Sequence, residues 1–129
     1  MYPCTRIIES DIDELEDASL WMDEHLPLPM TPKIKNNILL VAQELITNAI
    51  IHGNKNVKSK TVIIVLDHSD VDVTISVEDQ GKGVASLPTK EESIQMDYLD
   101  ENGRGLKLAT LLSDSIVVKK NKIIVRFKK

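Results

Sequence analysis

The chain of 129 residues has one cysteine, Cys4, three histidines and only 3% aromatic residues. A single thiol permits no disulfide framework within the chain and no cysteine-based metal cluster. His25, His52 and His68 are scattered and show no metal-ligand spacing. With so few rings, the core has to be aliphatic. No stretch approaches the ~18 apolar residues that span a bilayer. No apolar run is longer than residues 38–42, and residues 1–10 hold Arg6 and Glu9 rather than a leader's apolar stretch. These absences make a cytoplasmic, reduced setting the expectation. A basic surplus is also missing. The formal net charge is −4, which argues against direct nucleic-acid binding. The late cluster Lys119, Lys120, Lys122, Arg126, Lys128 and Lys129 reads as solvated strand and turn residues. Two phosphate-binding signatures are absent as well: Gly-x-x-x-x-Gly-Lys-Ser/Thr and Gly-x-Gly-x-x-Gly.

What is present fits one domain with one core. Hydrophobic residues make up 42% of the chain. Residues 2–9 read as a strand and 11–25 as a helix capped by Ser10, with acids in its first turn. Pro27, Pro29 and Pro32 break the chain. Thr31-Pro32 then signals a helix start, and that helix runs to His52 and stops at Gly53-Asn54. Residues 60–66 read as a strand, 68–70 as a turn and 71–78 as a strand of strict alternation. Val71, Val73, Ile75 and Val77 share one face, Asp72, Thr74, Ser76 and Glu78 the other. A long loop over residues 80–102 follows, its middle at 90–99 a candidate short helix. A helix over 103–112 and strands over 116–119 and 123–127 complete the chain. The order implies an α+β fold, with helices on one face of a mixed, mainly antiparallel sheet.

Three segments carry chemistry. In the helix over residues 32–52, Ile34, Ile38, Val41, Ala42, Leu45, Ile46, Ala49 and Ile50 form a broad apolar arc. Glu44, Asn48 and His52 interrupt it at four-residue spacing and so stack in one row. The stripe either faces solvent or lines a cavity. The absence of Lys and Arg between Lys35 and Lys55 favours the cavity. An amide oxygen suits a hard cation such as Mg2+, and a carboxylate one turn away suits proton transfer.

Asp79 continues the parity of Val73, Ile75 and Val77, which points it to the covered face. A carboxylate there needs hydrogen bonds. Gly81 and Gly83 follow it and remove bulk. The alternative is a plain surface turn. Asn102-Gly103-Arg104-Gly105 opens the last helix. Free amides, glycines and a guanidinium make an anion site there, and simple loop punctuation is the alternative.

Taken in order, these segments resemble the three nucleotide-binding boxes of the GHKL (Bergerat-fold) ATPases. Residues 43–53, from Gln43 to Gly53, resemble the N box. Glu78-Asp79-Gln80-Gly81-Lys82-Gly83-Val84 resembles the G1 box, and Gly103-Arg104-Gly105-Leu106-Lys107-Leu108-Ala109 the G2 box. The short chain, its early first strand and its Gly-Arg-Gly-Leu segment are most similar to the anti-sigma-factor serine/threonine kinases. The resemblance implies a two-layer Bergerat sandwich and Mg-ATP as cofactor. It implies phosphoryl transfer to a small antagonist protein, alternative binding to a sigma factor, and a homodimer. It assigns Glu44 as the base, Asn48 as the Mg2+ ligand and Asp79 as acceptor for the adenine amine, with Gly81 and Gly83 giving access. Gly103, Arg104 and Gly105 would close on the phosphates, and residues 84–102 would form a lid. An ATP-dependent binding switch without catalysis and a stand-alone histidine-kinase-type domain are the rival readings. No histidine lies in a dimerising hairpin, which counts against a complete histidine kinase.

The chain departs from the pattern in two places. Ile123-Ile124 stand where these proteins often carry a Thr, with Thr61 and Thr74 no obvious substitutes. The lid is acidic, with Asp97, Asp100 and Glu101 beside Met96 and Tyr98. Elsewhere, His25 and His68 read as surface residues, Trp21 as core or a partner-facing anchor, and Met30 and Met96 as gap-fillers or pocket edges.

Overall fold

The computed structural model describes residues 2–27, 29–81 and 104–129, and for 104 and 105 the backbone only. The expected helix over residues 90–99, the lid, Gly83 and Gly103 lie outside the described residues.

Five strands form one sheet in the order β1-β2-β3-β5-β4. They are β1 Cys4–Glu9, β2 Thr61–His68, β3 Asp72–Glu78, β4 Ser115–Lys119 and β5 Lys122–Lys128. Helices α1 Leu15–His25, α2 Pro32–Asn48 and α3 Arg104–Leu112 complete the order. The α+β architecture is as the sequence implied, with one refinement. All four described ladders are antiparallel, so the sheet is not mixed. The crossover from β3 through α3 does return β4 in the same direction as β3. The tight β4–β5 hairpin then inserts β5 between them, and no parallel pair forms among the described residues.

Alternation does most of the positioning. Val62, Ile64 and Leu66 of β2, Val73, Ile75 and Val77 of β3, and Val125 and Phe127 of β5 are buried on one face. Opposite them lie Ile38, Val41, Ala42, Leu45, Ile46, Ala49 and Ile50 of α2, all buried. Each Val, Leu or Ile side chain among them contributes ~1.5–3 kcal/mol on leaving water. The core is aliphatic, as the shortage of aromatics requires. Val71 departs from the expectation: it is 68% exposed and precedes β3. The Ser69 hydroxyl accepts from the N–H groups of Val71 and Asp72, both at 3.2 Å, and Val71 belongs to this polar turn before the strand.

Two helix boundaries also differ. Ser10 is not the cap of the first helix. Asp11 takes that role, accepting from Asp13 N at 3.0 Å and opening a single 3-10 turn, Ile12–Glu14, before α1. Ser10 is buried instead and donates to the Lys60 carbonyl at 2.6 Å. Thr31 and Pro32 do start α2. Its far end widens into one turn of π-helix, Ala49–Gly53, closed by Asn54 N donating to Ala49 O at 2.8 Å. Lys55 and Asn56 then take φ of 53° and 61°, which ends the helix.

The remaining single residues fall into place. Trp21 packs against the core and sits 5.1 Å, ring to ring, from His25. His25 and His68 are half-buried rather than plain surface residues. Tyr2 links them: its hydroxyl donates to the His25 carbonyl, and its ring meets that of His68 edge-on. Met30 packs on the core and is not a lining residue of the cavity described below. Arg126 reaches Asp72 at 3.3 Å and Ser115 Oγ at 3.1 Å, which accounts for one member of the late basic cluster.

Candidate functional site

The widened end of α2 and the end of β3 meet above the sheet. Between them, with α3 alongside, lies a cavity of about 530 Å³. That is within the range of small-molecule sites, ~300–1,000 Å³. Leu45, Ala49, Val77, Leu106 and Ile123 give it apolar walls. Asn48, His52, Lys55, Lys60, Asp79, Gln80 and Asn121 supply polar groups.

Asp79 leaves β3 toward this cavity, the direction its parity implied. Its Oδ1 accepts from the Gly81 N–H at 2.7 Å. Burial pushes its carboxyl above the usual aspartate range. The Gly81 amide opposes that rise, neighbouring Glu78 adds to it and Lys60 opposes it. The result is a partly desolvated acceptor that gains by meeting a donor.

The glycines beside it are required by space. A Cβ on Gly53 would lie 2.1 Å from Asp79 Oδ2, and one on Gly81 would lie 2.4 Å from the Gly53 carbonyl oxygen. Gly81 removes bulk that would otherwise strike the Gly53 backbone. Gly53 was read only as a helix stop. Its second task depends on a contact across the fold that local pattern cannot reveal.

Of the polar stripe on α2, Asn48 and His52 line the cavity. Glu44 is half-buried one turn earlier and is not among the described lining residues. Thr47 turns its hydroxyl back to the Gln43 carbonyl at 2.8 Å. Ile123 lines the cavity where a Thr was in question, and neither Thr61 nor Thr74 does. Arg104 begins α3, as expected of a segment opening a helix, with Gly105 next.

Two further residues were not foreseen. Asn54 is fully buried, and its side chain accepts from Gln80 N at 2.7 Å. Asn121, in the β4–β5 turn, accepts from Asp79 N through its carbonyl at 3.0 Å, and its side-chain amide donates to Asp79 O. Both read locally as turn residues. Only burial distinguishes them, and burial is not a local property.

The donor set suits a nucleotide better than a protein-held metal. Among the described residues, no group of three His, Cys, Asp or Glu could hold a metal ion. Asn48 offers one amide oxygen. Magnesium accepts such sparse protein ligation when phosphates and water complete its shell. An apolar slot ending in a desolvated carboxylate suits an aromatic base bearing an amino group.

An antiparallel sheet covered by helices, with this cavity at the strand end, defines a nucleotide-pocket sandwich. Residues 8–129 match the histidine kinase-like ATPase domain family, and the chain belongs to it. That family places the chain among the GHKL proteins, with ATP as the ligand its description implies. Among curated proteins, the chain is similar to the anti-sigma F factor of Clostridium botulinum (strain Eklund 17B / Type B). The two are 29% identical over 89 residues, 67% of this chain and 62% of the relative. The anti-sigma F factor of Clostridium perfringens (strain SM101 / Type A) is 34% identical over 90 residues, 67% of this chain and 64% of that one. That of Clostridium perfringens (strain 13 / Type A) is 33% identical over 99 residues, 71% of each. The chain thus spans a little under two thirds of the first two relatives. No described helix is long and apolar enough to cross a membrane.

Proposed function

We propose that this chain is a Mg-ATP-dependent serine/threonine protein kinase that acts as an anti-sigma factor. It phosphorylates a small antagonist protein and binds a sigma factor in a partner-switching system, as a homodimer in the cytoplasm. The observation that carries the reading is the cavity that brings Asn48, Asp79 and Gly81 together in a histidine kinase-like ATPase fold. The relatives' common name, anti-sigma F factor, supports the partner class.

Asp79 accepts a hydrogen bond from the exocyclic amine of adenine, and the glycines beside it let the base approach. Asn48 would ligate Mg2+ through its amide oxygen, and the bound cation would supply neutralisation of phosphate charge. Gly83, Gly103, Arg104 and Gly105 belong to the phosphate side. Glu44 is the base that orients the acceptor hydroxyl. Phosphoryl transfer asks mainly for positioning and charge neutralisation, which such a set supplies.

A second reading is favoured by the place of Glu44 outside the described cavity lining. On it, the chain is an ATP-dependent binding switch with little catalysis. Incubation with γ-labelled ATP and small acceptor proteins encoded beside this chain separates the two. Acid-stable phosphate on serine or threonine supports the kinase. Tight ATP binding without transfer supports the switch. Acid-labile phosphate would instead place the chain with histidine-kinase-type domains.

A further inference from the structure

We infer that Asn54 and Asn121 are positioning residues that aim the Asp79 carboxylate, and that this pair of amides sets base selectivity. The inference rests on the adenine-nucleotide reading of the cavity.

The N–H groups of Asp79, Gln80 and Gly81 and the carbonyl of Asp79 are bonded by these two residues and by Asp79 itself. Asp79 N donates to the Asn121 carbonyl at 3.0 Å, and Asp79 O accepts from the Asn121 side-chain amide. Gln80 N donates to Asn54 Oδ1 at 2.7 Å. Gly81 N donates to Asp79 Oδ1 at 2.7 Å. Neither asparagine belongs to the glycine-rich segment it holds. One comes from the end of the π-turn, the other from the β4–β5 hairpin, 42 residues from Asp79 in sequence.

Asn54 is itself anchored at its other end. Its Nδ2 donates to Ser10 Oγ at 2.7 Å and to Thr61 O at 2.9 Å. A residue needed only to tie β1 to β2 would stop there. The third bond, to Gln80 N, carries that anchorage to the residue after the acid. Gln80 adds a tether of its own, its Oε1 accepting from Thr61 N at 2.6 Å. The acid therefore projects from a turn held on both sides.

Direction is what a carboxylate needs to discriminate. It accepts from a 6-amino purine and repels the lone pairs of a 6-oxo purine, and hydrogen bonds weaken steeply off axis. A site built to meet a donor rejects the analogue lacking it because its own polar group is left unpaired. Loosening the turn should therefore cost the amino purine and leave the oxo purine nearly unaffected.

The test is calorimetric titration of the full chain with ADP and with inosine diphosphate. Asn121→Ala is the principal variant, since it keeps the backbone carbonyl that accepts from Asp79 N and removes only the amide. The expected result is a fall of about tenfold in the ADP-to-IDP affinity ratio, equivalent to about 1.4 kcal/mol, with IDP affinity unchanged. Asn54→Ala, checked for folding by circular dichroism, should lower the ratio in the same sense. An unchanged ratio in Asn121→Ala, or equal losses for both nucleotides, overturns the clamp alone. A wild-type chain that shows no preference for ADP overturns the adenine reading with it.

Discussion

Gly53 lies directly against the carboxylate of Asp79, so close that a methyl group on Gly53 would sit 2.1 Å from Oδ2. One residue ends the π-turn after α2, and the other directly follows the central strand β3. Their contact joins the helix layer to the sheet layer at the candidate site. Gly53→Ala must push the carboxylate aside or move the turn. The expected outcome is a loss of ADP affinity of at least tenfold, with a stability loss of ~1–3 kcal/mol from overpacking. Titration calorimetry and urea denaturation check the two effects separately. Wild-type affinity in a folded Gly53→Ala protein would remove Asp79 from the site.

Asp79→Asn keeps the shape and inverts part of the chemistry. The amide presents a donor edge where an amine donor should arrive. A hydrogen bond to a charged partner contributes ~1.5–3 kcal/mol, so adenine-nucleotide affinity should drop by tenfold or more. Fluorescent-nucleotide titration measures it, and an unchanged affinity sinks the pocket assignment.

The same substitution should have the opposite effect on the empty protein. Burial raises the Asp79 carboxyl pKa, the first cause among those acting on it. A raised folded-state pKa means that folding disfavours the charged form. The stability this group contributes is therefore complete in acid and is lost as pH rises through its folded pKa. Near neutral pH, ligand-free Asp79→Asn should melt at a higher temperature than wild type. That advantage should shrink as pH falls through the raised folded pKa and be gone below about pH 4, the ordinary aspartate value. Thermal scans across pH decide it, and a gap that widens in acid would contradict the burial argument.

Glu44→Ala distinguishes catalysis from binding. Glu44 is half-buried one turn from Asn48 and is not among the described lining residues. On the kinase reading, the variant binds ADP as wild type does and loses phosphoryl transfer. If labelled phosphate still reaches the acceptor at the wild-type rate, another group is the base.

Much of this was legible in the residues themselves. The alternation of Val73, Ile75 and Val77 announced β3 and its buried face. The apolar arc from Ile38 to Ile50 announced α2 as the helix laid across the sheet, and Thr31-Pro32 marked its start. Those signals are short-range, because they rest on the two-residue period of a strand and the 3.6-residue period of a helix. Parity even aimed Asp79 at the cavity. The resemblance of residues 43–53, 78–84 and 103–109 to nucleotide-binding boxes pointed to the family, and residues 8–129 match it.

What only the tertiary structure decided depends on residues far apart in the chain. The insertion of β5 between β3 and β4 made the sheet wholly antiparallel among its described ladders, although the crossover itself runs parallel. Ser10, expected to cap a helix, instead became a buried partner of Asn54 and Lys60. Gly53 gained its need for a missing side chain from Asp79, and Asn54 and Asn121 gained their hold on the acid's turn. A glycine or an asparagine looks the same in any turn. Its role is set by what the fold brings within bonding distance, and that is a property of packing rather than of sequence order.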